Sequence, residues 1–277
     1  MLPLNLASGL DLFDLLTLAA AEVCPKVPEP EQPRSISAWA REVLKFQPSA
    51  KQAEILDAPD RFLLLCCNRQ WGKSTTIAIK ALHHAIHRAD QAVVVISRTK
   101  FQAGLLIHKL VRFALMLGHK IRRAFGERHS LLLPNGSYIL AVPHNTDTSA
   151  GNTADVLVID EAALVSDEVF ASATPFMGRT KGSIWLLSTP RRQVGFFYNL
   201  WHNRDARWRR VLSTVDDCPD IDREFLRMQQ ALDPTRFRQD FYCEFIAPAG
   251  SLITREALEA CIDPTLDPWQ IRVRPRT

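Results

Sequence analysis

Phe62-Leu-Leu-Leu-Cys-Cys-Asn-Arg-Gln-Trp-Gly-Lys-Ser-Thr75 is the stretch whose reading decides the fold. An apolar run ends in a turn carrying Gly72, Lys73 and Ser74, and a helix-compatible segment follows. Strand, glycine turn and helix in that order are the layout of a phosphate-binding loop. Gly72 lets the backbone approach a phosphate, Lys73 brings a point charge to the β- and γ-phosphates, and the Ser74 hydroxyl is a ligand for Mg²⁺. The new helix turns its free N–H groups toward the anion. Asn68, Arg69, Gln70, Trp71 and Thr75 complete the expected nucleotide-binding loop. The usual pattern opens with a glycine five residues before Gly72, where this chain has Cys67. An ordinary strand-to-helix turn reads the tripeptide alone equally well, so the decision passes to a second stretch.

That stretch is Ala154-Asp-Val-Leu-Val-Ile-Asp-Glu-Ala-Ala163. Val156 to Ile159 read as a fully buried parallel strand. Two acids stand at its C-terminal end, where open α/β sheets place ligands. Asp160 suits the Mg²⁺ shell, and Glu161 suits orienting or deprotonating an attacking water. Taken alone, the two acids have a second, less favoured reading as the start of a surface helix. Together with the upstream loop they predict a nucleotide site for ATP and Mg²⁺.

The chain has 277 residues, 47% of them hydrophobic, which suffices for one large or two modest domains. A net charge of +4 is a mild pointer to an anionic partner. The six cysteines include no Cys-x-x-Cys pair, so neither a zinc spacing nor a disulfide framework is expected. The N-terminus has no Lys or Arg before Lys26 and is interrupted by Asp11 and Asp14, a poor signal peptide. No apolar run is long enough to span a bilayer.

Outward from the two motifs, buried strands alternate with helices. Residues 9–23 suit an amphipathic helix, and Pro25, Pro28, Pro30 and Pro33 a stiff linker. Residues 1–34 are therefore expected to be an arm, 35–250 the main domain and 251–277 a tail. Helices are expected over 35–44 and from Ser49, over 74–89, 99–117, 222–232 and 235–241, with short ones from Asp167 and near 196–201. Strands are expected over 91–97, 182–188 and 208–213, with a hairpin turning at Asn135-Gly136 within 130–141. The fold class is thus α/β, a P-loop NTPase with a mostly parallel sheet covered by helices on both faces and a β-hairpin insertion. Gln52 has two readings. It completes a capping box with Ser49, or it hydrogen-bonds adenine one helix before the first core strand.

These residues resemble the large terminase subunits of tailed phages, ATPases that package viral DNA. The resemblance runs over residues 35–250. It is carried by Arg69-Gln70 ahead of Gly72-Lys73 with no leading glycine, by Thr153 to Ala163, and by Ser97-Arg98-Thr99. The hairpin, Leu187-Ser-Thr-Pro190 and Phe241-Tyr-Cys-Glu-Phe245 follow in the family's order. It implies that Gln52 reads adenine, that Ser188, Thr189 and Pro190 couple hydrolysis to movement, and that Arg69 reaches the γ-phosphate in cis. It further implies Lys73 and Glu161 as catalytic residues, with Ser74 and Asp160 on Mg²⁺. The implied partners are double-stranded DNA, a portal protein, a small terminase subunit and further copies of the chain in a ring, in the host cytoplasm. A trans-acting arginine would come from Arg98, Arg112, Arg122 or Arg123.

Two departures from the family stand out. Ala150-Gly151 replaces an Arg-Gly often found before the acidic strand. Only about 30 residues follow Phe245, far below a nuclease domain. Glu256, Glu259, Asp263 and Asp267 in the tail have no sheet to hold them, so the chain is expected to be the motor half alone, without nuclease activity. Arg179/Lys181, Arg191/Arg192 and Arg204/Arg207/Arg209/Arg210 are basic clusters suited either to DNA phosphates or to a solvated surface. The alternatives kept beside a packaging ATPase are another P-loop nucleic-acid translocase, helicase-like in character, and an inactive prophage remnant.

Overall fold

The apolar runs become the strands of a single sheet. They are β1 (Phe62–Cys67), β2 (Ala92–Ser97), β3 (Ser130–Leu132), β4 (Tyr138–Pro143), β5 (Val156–Asp160), β6 (Ser183–Ser188) and β7 (Trp208–Ser213). In the computed structural model they lie in the order β3-β4-β2-β5-β6-β1-β7. Every pairing is parallel except that of β3 with β4. Residues 35–144, 153–203, 205–218, 220–247 and 260–261 are described. The expected arm helix, the segment around Ala150-Gly151, Arg204 and the four acids of the tail lie outside them.

Among the described residues, eight helices of seven residues or more accompany the strands: α1 (Ile36–Glu42), α2 (Ala50–Asp57), α3 (Lys73–Ile86), α4 (Lys100–Met116), α5 (Asp167–Ala173), α6 (Phe196–His202), α7 (Arg223–Leu232) and α8 (Pro234–Tyr242). Successive strand residues point to opposite faces, so a strand buried on both sides must be apolar throughout. Leu63, Leu65, Val93, Val95, Val156, Val158 and Leu187 pack with Ile77 and Ala81 of α3 and Leu106 and Leu110 of α4. Leu64, Val94, Ile96, Leu157, Ile159 and Leu186 pack on the other face with Phe176, Phe196 and Phe197. The two layers predicted from the apolar runs are both present.

Local signals set the element ends. Ser49 caps α2 as half of a capping box, its oxygen accepting from Gln52 N while the Gln52 side chain accepts from Ser49 N. Helix α3 stops short of the expected residue 89, and the hairpin explains why. Asn135 Nδ2 donates to the carbonyls of Ala85 (2.8 Å), Ile86 (3.0 Å) and Arg88 (3.0 Å), satisfying carbonyls at the end of the helix. The neighbouring Gly136 has φ +84°, and a Cβ there would stand 2.2 Å from Asp90 Oδ1. The hairpin is thereby docked on the C-terminus of α3, and only glycine fits its tip.

Because β1, β5 and β6 are parallel neighbours, they end on one edge. Cys66 is in register with Ser188, and Asp160 with Leu187. The segments leaving these three ends are the phosphate-loop sequence, the two acids and Ser188-Thr-Pro190.

Candidate active site

The loop leaving β1 needs unusual backbone. Gln70 has φ +64° and Gly72 φ +88°, and Glu161 after β5 has φ +54°. For Gln70 and Glu161 this costs about 1–3 kcal/mol each, the sort of strain that persists where a functional geometry is over-determined by its surroundings. Asn68 N donates to Ser213 O at 2.9 Å, which ties the start of the loop to β7.

Lys73 is 9% exposed. Its Nζ lies 3.2 Å from Glu161 Oε1 and donates to Thr189 Oγ1 at 3.2 Å. Ser74 Oγ donates to Asp160 Oδ2 at 3.1 Å, and Glu161 N donates to Asp160 Oδ1 at 3.0 Å. Ser188 Oγ donates to Thr189 O at 2.7 Å and reaches Glu161 Oε2 at 3.4 Å. Residues from three strand ends thus form one chain of contacts, Ser74–Asp160–Glu161–Lys73–Thr189. Burial, and next the Glu161 charge, push the Asp160 carboxyl up to about 6; Lys73, the Ser74 hydroxyl and the Glu161 N–H pull the other way. A second positive charge would relieve that burial. Hydroxyl and carboxylate oxygens side by side are the hard donors Mg²⁺ takes when phosphates and waters supply the rest of its shell. Ser74 and Asp160 therefore fit such an ion. Among the described residues there is no group of three or more His, Cys, Asp or Glu that would hold a metal without a substrate.

Gln52 realises the capping reading and adds a second contact. Its Oε1 accepts from Ser49 N at 2.9 Å, while its Nε2 donates to Trp71 O at 2.8 Å. It holds the loop from behind, beside a groove of about 1040 Å³ lined by Pro48, Gln52, Trp71, Asp217, Ile221 and Phe225. Thr75 accepts from Lys109 Nζ of α4 at 2.9 Å. Arg69 does not point freely to solvent. Its Nε pairs with Asp240 Oδ2 at 2.9 Å, and its N donates to Asp240 O at 2.8 Å.

Lys109 and Asp240 were not among the sequence candidates. Asp240 sits one residue before the Phe241–Phe245 motif, the only nearby signal; nothing in the spacing of α4 marks Lys109. The basic clusters divide. Arg179 and Lys181 are exposed. Arg209 pairs with Glu54 (3.0 Å) and Asp60 (3.3 Å). The Arg210 guanidinium donates to carbonyls of Leu200, Trp201, Asp205 and Trp208. Arg207 pairs with Asp205 at 2.6 Å.

A parallel sheet with a glycine-lysine-serine loop after one strand and paired acids after a near neighbour defines the P-loop NTPase class. Residues 66–260 match the family model described as terminase large subunit, T4likevirus-type, N-terminal. The chain belongs to that family. It is 34% identical over 98 residues to the probable terminase, large subunit of Enterobacteria phage P7, a match covering 32% of this chain and 20% of that protein. The chain thus spans about a fifth of the length of that curated relative. The large terminase ATPase domain of Thermus phage P74-26 superposes with a TM-score of 0.66 at 20% identity, over 77% of this chain and all of that one. The HK97 bacteriophage large terminase superposes at 0.63 and 16% identity, over 76% and 55% of the two chains. The large terminase of a thermophilic bacteriophage, in complex with ADP, superposes at 0.61 and 15%, over 72% and 54%. At these identities the likeness is one of fold.

Proposed function

We propose that residues 35–250 form an ATPase domain that drives double-stranded viral DNA into a prohead, as the motor part of a terminase large subunit. The observation that carries this is the contact chain in which Lys73 Nζ lies 3.2 Å from both Glu161 and Thr189 while Ser74 lies 3.1 Å from Asp160. The relatives support it by their names, a large terminase ATPase domain and a large terminase with ADP.

In this reading the triphosphate lies along residues 68–75, its phosphates against the loop N–H groups and the first turn of α3. Lys73 transfers its charge from Glu161 to the phosphates. Glu161, freed of that partner and held by Ser188 Oγ, orients a water and accepts its proton on a carboxylate oxygen as the water attacks the γ-phosphorus. Ser74 and Asp160 hold Mg²⁺, which when bound supplies charge neutralisation on the phosphate oxygens. Arg69 adds charge stabilisation in cis when it leaves Asp240. Thr189 touches Lys73 and Ser188 touches Glu161, so the Ser188-Thr189-Pro190 segment senses both partners as they change. That contact is the physical basis for a coupling role. Gln52 supports the loop through Trp71 O and faces the groove where a base would lie.

The portal protein, a small terminase subunit and a ring of copies are the partners proposed, in the host cytoplasm. No helix among the described residues is long and apolar enough to cross a membrane. The test is phosphate release from ATP by the purified chain with Mg²⁺ and DNA, beside Lys73→Ala. Turnover abolished by Lys73→Ala supports the reading; turnover that survives it, or none in the wild type under assembly conditions, overturns it.

A further inference from the structure

Arg191 follows Ser188-Thr-Pro190 and is held differently from Arg209 and Arg210, whose guanidinium groups are well paired. Its backbone is pinned: the Arg191 carbonyl accepts from Gln239 Nε2 at 2.8 Å and from Ile246 N at 2.9 Å. Its side chain, 25% exposed, is poorly held. The nearest acid is Asp240, with Nη1 to Oδ1 at 3.8 Å, beyond a hydrogen bond. Arg191 Nε and Asp240 Oδ1 are both buried without a hydrogen-bond partner. A buried donor and a buried acceptor on two neighbouring side chains, neither satisfied, are costly unless another state of the site uses them.

The surroundings say what would use them. Asp240 is 5% exposed and faces three guanidinium groups, those of Arg69, Arg191 and Arg236. Three cations on one carboxylate leave a positive surplus beside the phosphate loop, and a polyanion would balance it. Arg191 feels the charges of Arg69, Asp240 and Glu161, while burial is the main effect holding its pKa below the ordinary guanidinium value. Two residues of chain put its Cα within about 7 Å of that of Thr189, whose hydroxyl touches Lys73. That proximity and the Glu161 charge it feels put Arg191 near the Glu161–Thr189 end of the site, the end a terminal phosphate would occupy.

We infer that Arg191 is a second cis arginine of this site, resting on Asp240 and turning to the terminal phosphate of a bound nucleoside triphosphate. This rests on the nucleotide site proposed above. With Arg69 and Arg191 both turned to the phosphate, Asp240 would keep only Arg236, one turn away on the same helix, so that α8 registers which nucleotide is present.

The test is equilibrium binding of ADP and of the β,γ-imido analogue of ATP, with Mg²⁺, to the full chain. Arg191→Ala should weaken the analogue by about 10–100-fold, the size of a lost charge-assisted hydrogen bond, and leave ADP unchanged. Arg191→Lys should fall between, keeping the charge and the fold but not the fork of donors. Arg192→Ala, at an exposed neighbour, should bind both as wild type does. Equal weakening of both nucleotides, or none of either, overturns the inference, as does a loss confined to DNA binding. Failure of the underlying reading looks different: the wild type then binds neither nucleotide, or Lys73→Ala binds as well as wild type.

Discussion

Lys73 Nζ lies 3.2 Å from Glu161 Oε1, joining the loop after β1 to the acid after β5. Each charge is the other's partner until a substrate competes for the lysine. Removing one charge therefore has separable consequences for binding and for turnover.

Glu161→Gln keeps the side-chain shape and removes the proposed base. It should bind ATP with Mg²⁺ at least as well as wild type, since Lys73 is released. Hydrolysis should fall about 10²–10⁴-fold, the usual size of a general-base effect, or about 3–5 kcal/mol of barrier. Near-normal single-turnover rates in this variant would remove Glu161 from the mechanism.

Gly72→Ala tests the loop geometry. At φ +88° an L residue is strained, and a Cβ there would stand 3.0 Å from Gln52 Nε2, the atom that holds Trp71 O. The substitution should cost about 1–3 kcal/mol of stability through backbone strain. It should also displace the Gln52 amide, weakening nucleotide binding beyond the change in melting temperature. If melting and nucleotide affinity both match wild type, the loop is not built as described.

Lys80 gives a prediction in pH. It is 4% exposed, and its Nζ donates to the carbonyls of Ile55 (3.0 Å), Leu56 (2.8 Å) and Ala58 (2.7 Å), tying the end of α2 to α3. Burial lowers its pKa to about 8 from the ordinary 10.5, against the pull of Asp57 and Asp60. A lysine depressed in the folded state binds fewer protons there than when unfolded, between those two values. Stability due to this group therefore rises with pH from about 8 to about 10.5, by up to roughly 3 kcal/mol. Lys80→Met lacks this titration and strands three carbonyls. The stability of wild type minus that of Lys80→Met, from denaturant melts, should increase across that window. A flat difference would show that the lysine keeps its ordinary pKa.

What was legible in the sequence follows from what each signal depends on. The strands β1, β2, β5 and β6 were readable because a strand buried on both faces must be apolar at every position, a property of the stretch itself. Lys73, Ser74, Asp160 and Glu161 could be singled out as candidates because each motif lies within a few residues at a strand end, and the structure brings the four together. Gln52 was ambiguous because both of its ends are used, one in a cap and one on Trp71 O. Only the second contact depends on tertiary structure. Arg210 and Arg191 look alike as letters in basic clusters. One guanidinium is saturated by carbonyls from the α6 end and the turn before β7, and the other faces a remote Asp240 on α8. Partners so far apart along the chain leave no local spacing to read.

Full activity should depend on assembly. The four arginines that the family resemblance offers as trans-acting groups are placed differently. Arg123 is half-buried, whereas Arg98, Arg112 and Arg122 are exposed. Arg98 directly follows Ser97 at the C-terminal end of β2, the neighbour of β5, so it stands on the rim that carries Asp160 and Glu161. That placement makes Arg98 the first to test as the group a neighbouring subunit presents to the site. A trans arginine contributes about 10³–10⁵-fold in related NTPases. A dilute, monomeric preparation should therefore turn over slowly, and specific activity should climb with protein concentration or on adding DNA and a portal ring. Arg98→Ala should stay slow at every concentration. Mixing it with Lys73→Ala subunits, which keep their arginines, should restore part of the rate, because an intact site then meets an intact arginine across the interface. A monomer that hydrolyses ATP at full rate regardless of concentration would rule out the trans arrangement and leave Arg69 and Arg191 to stabilise the transferring phosphoryl group in cis.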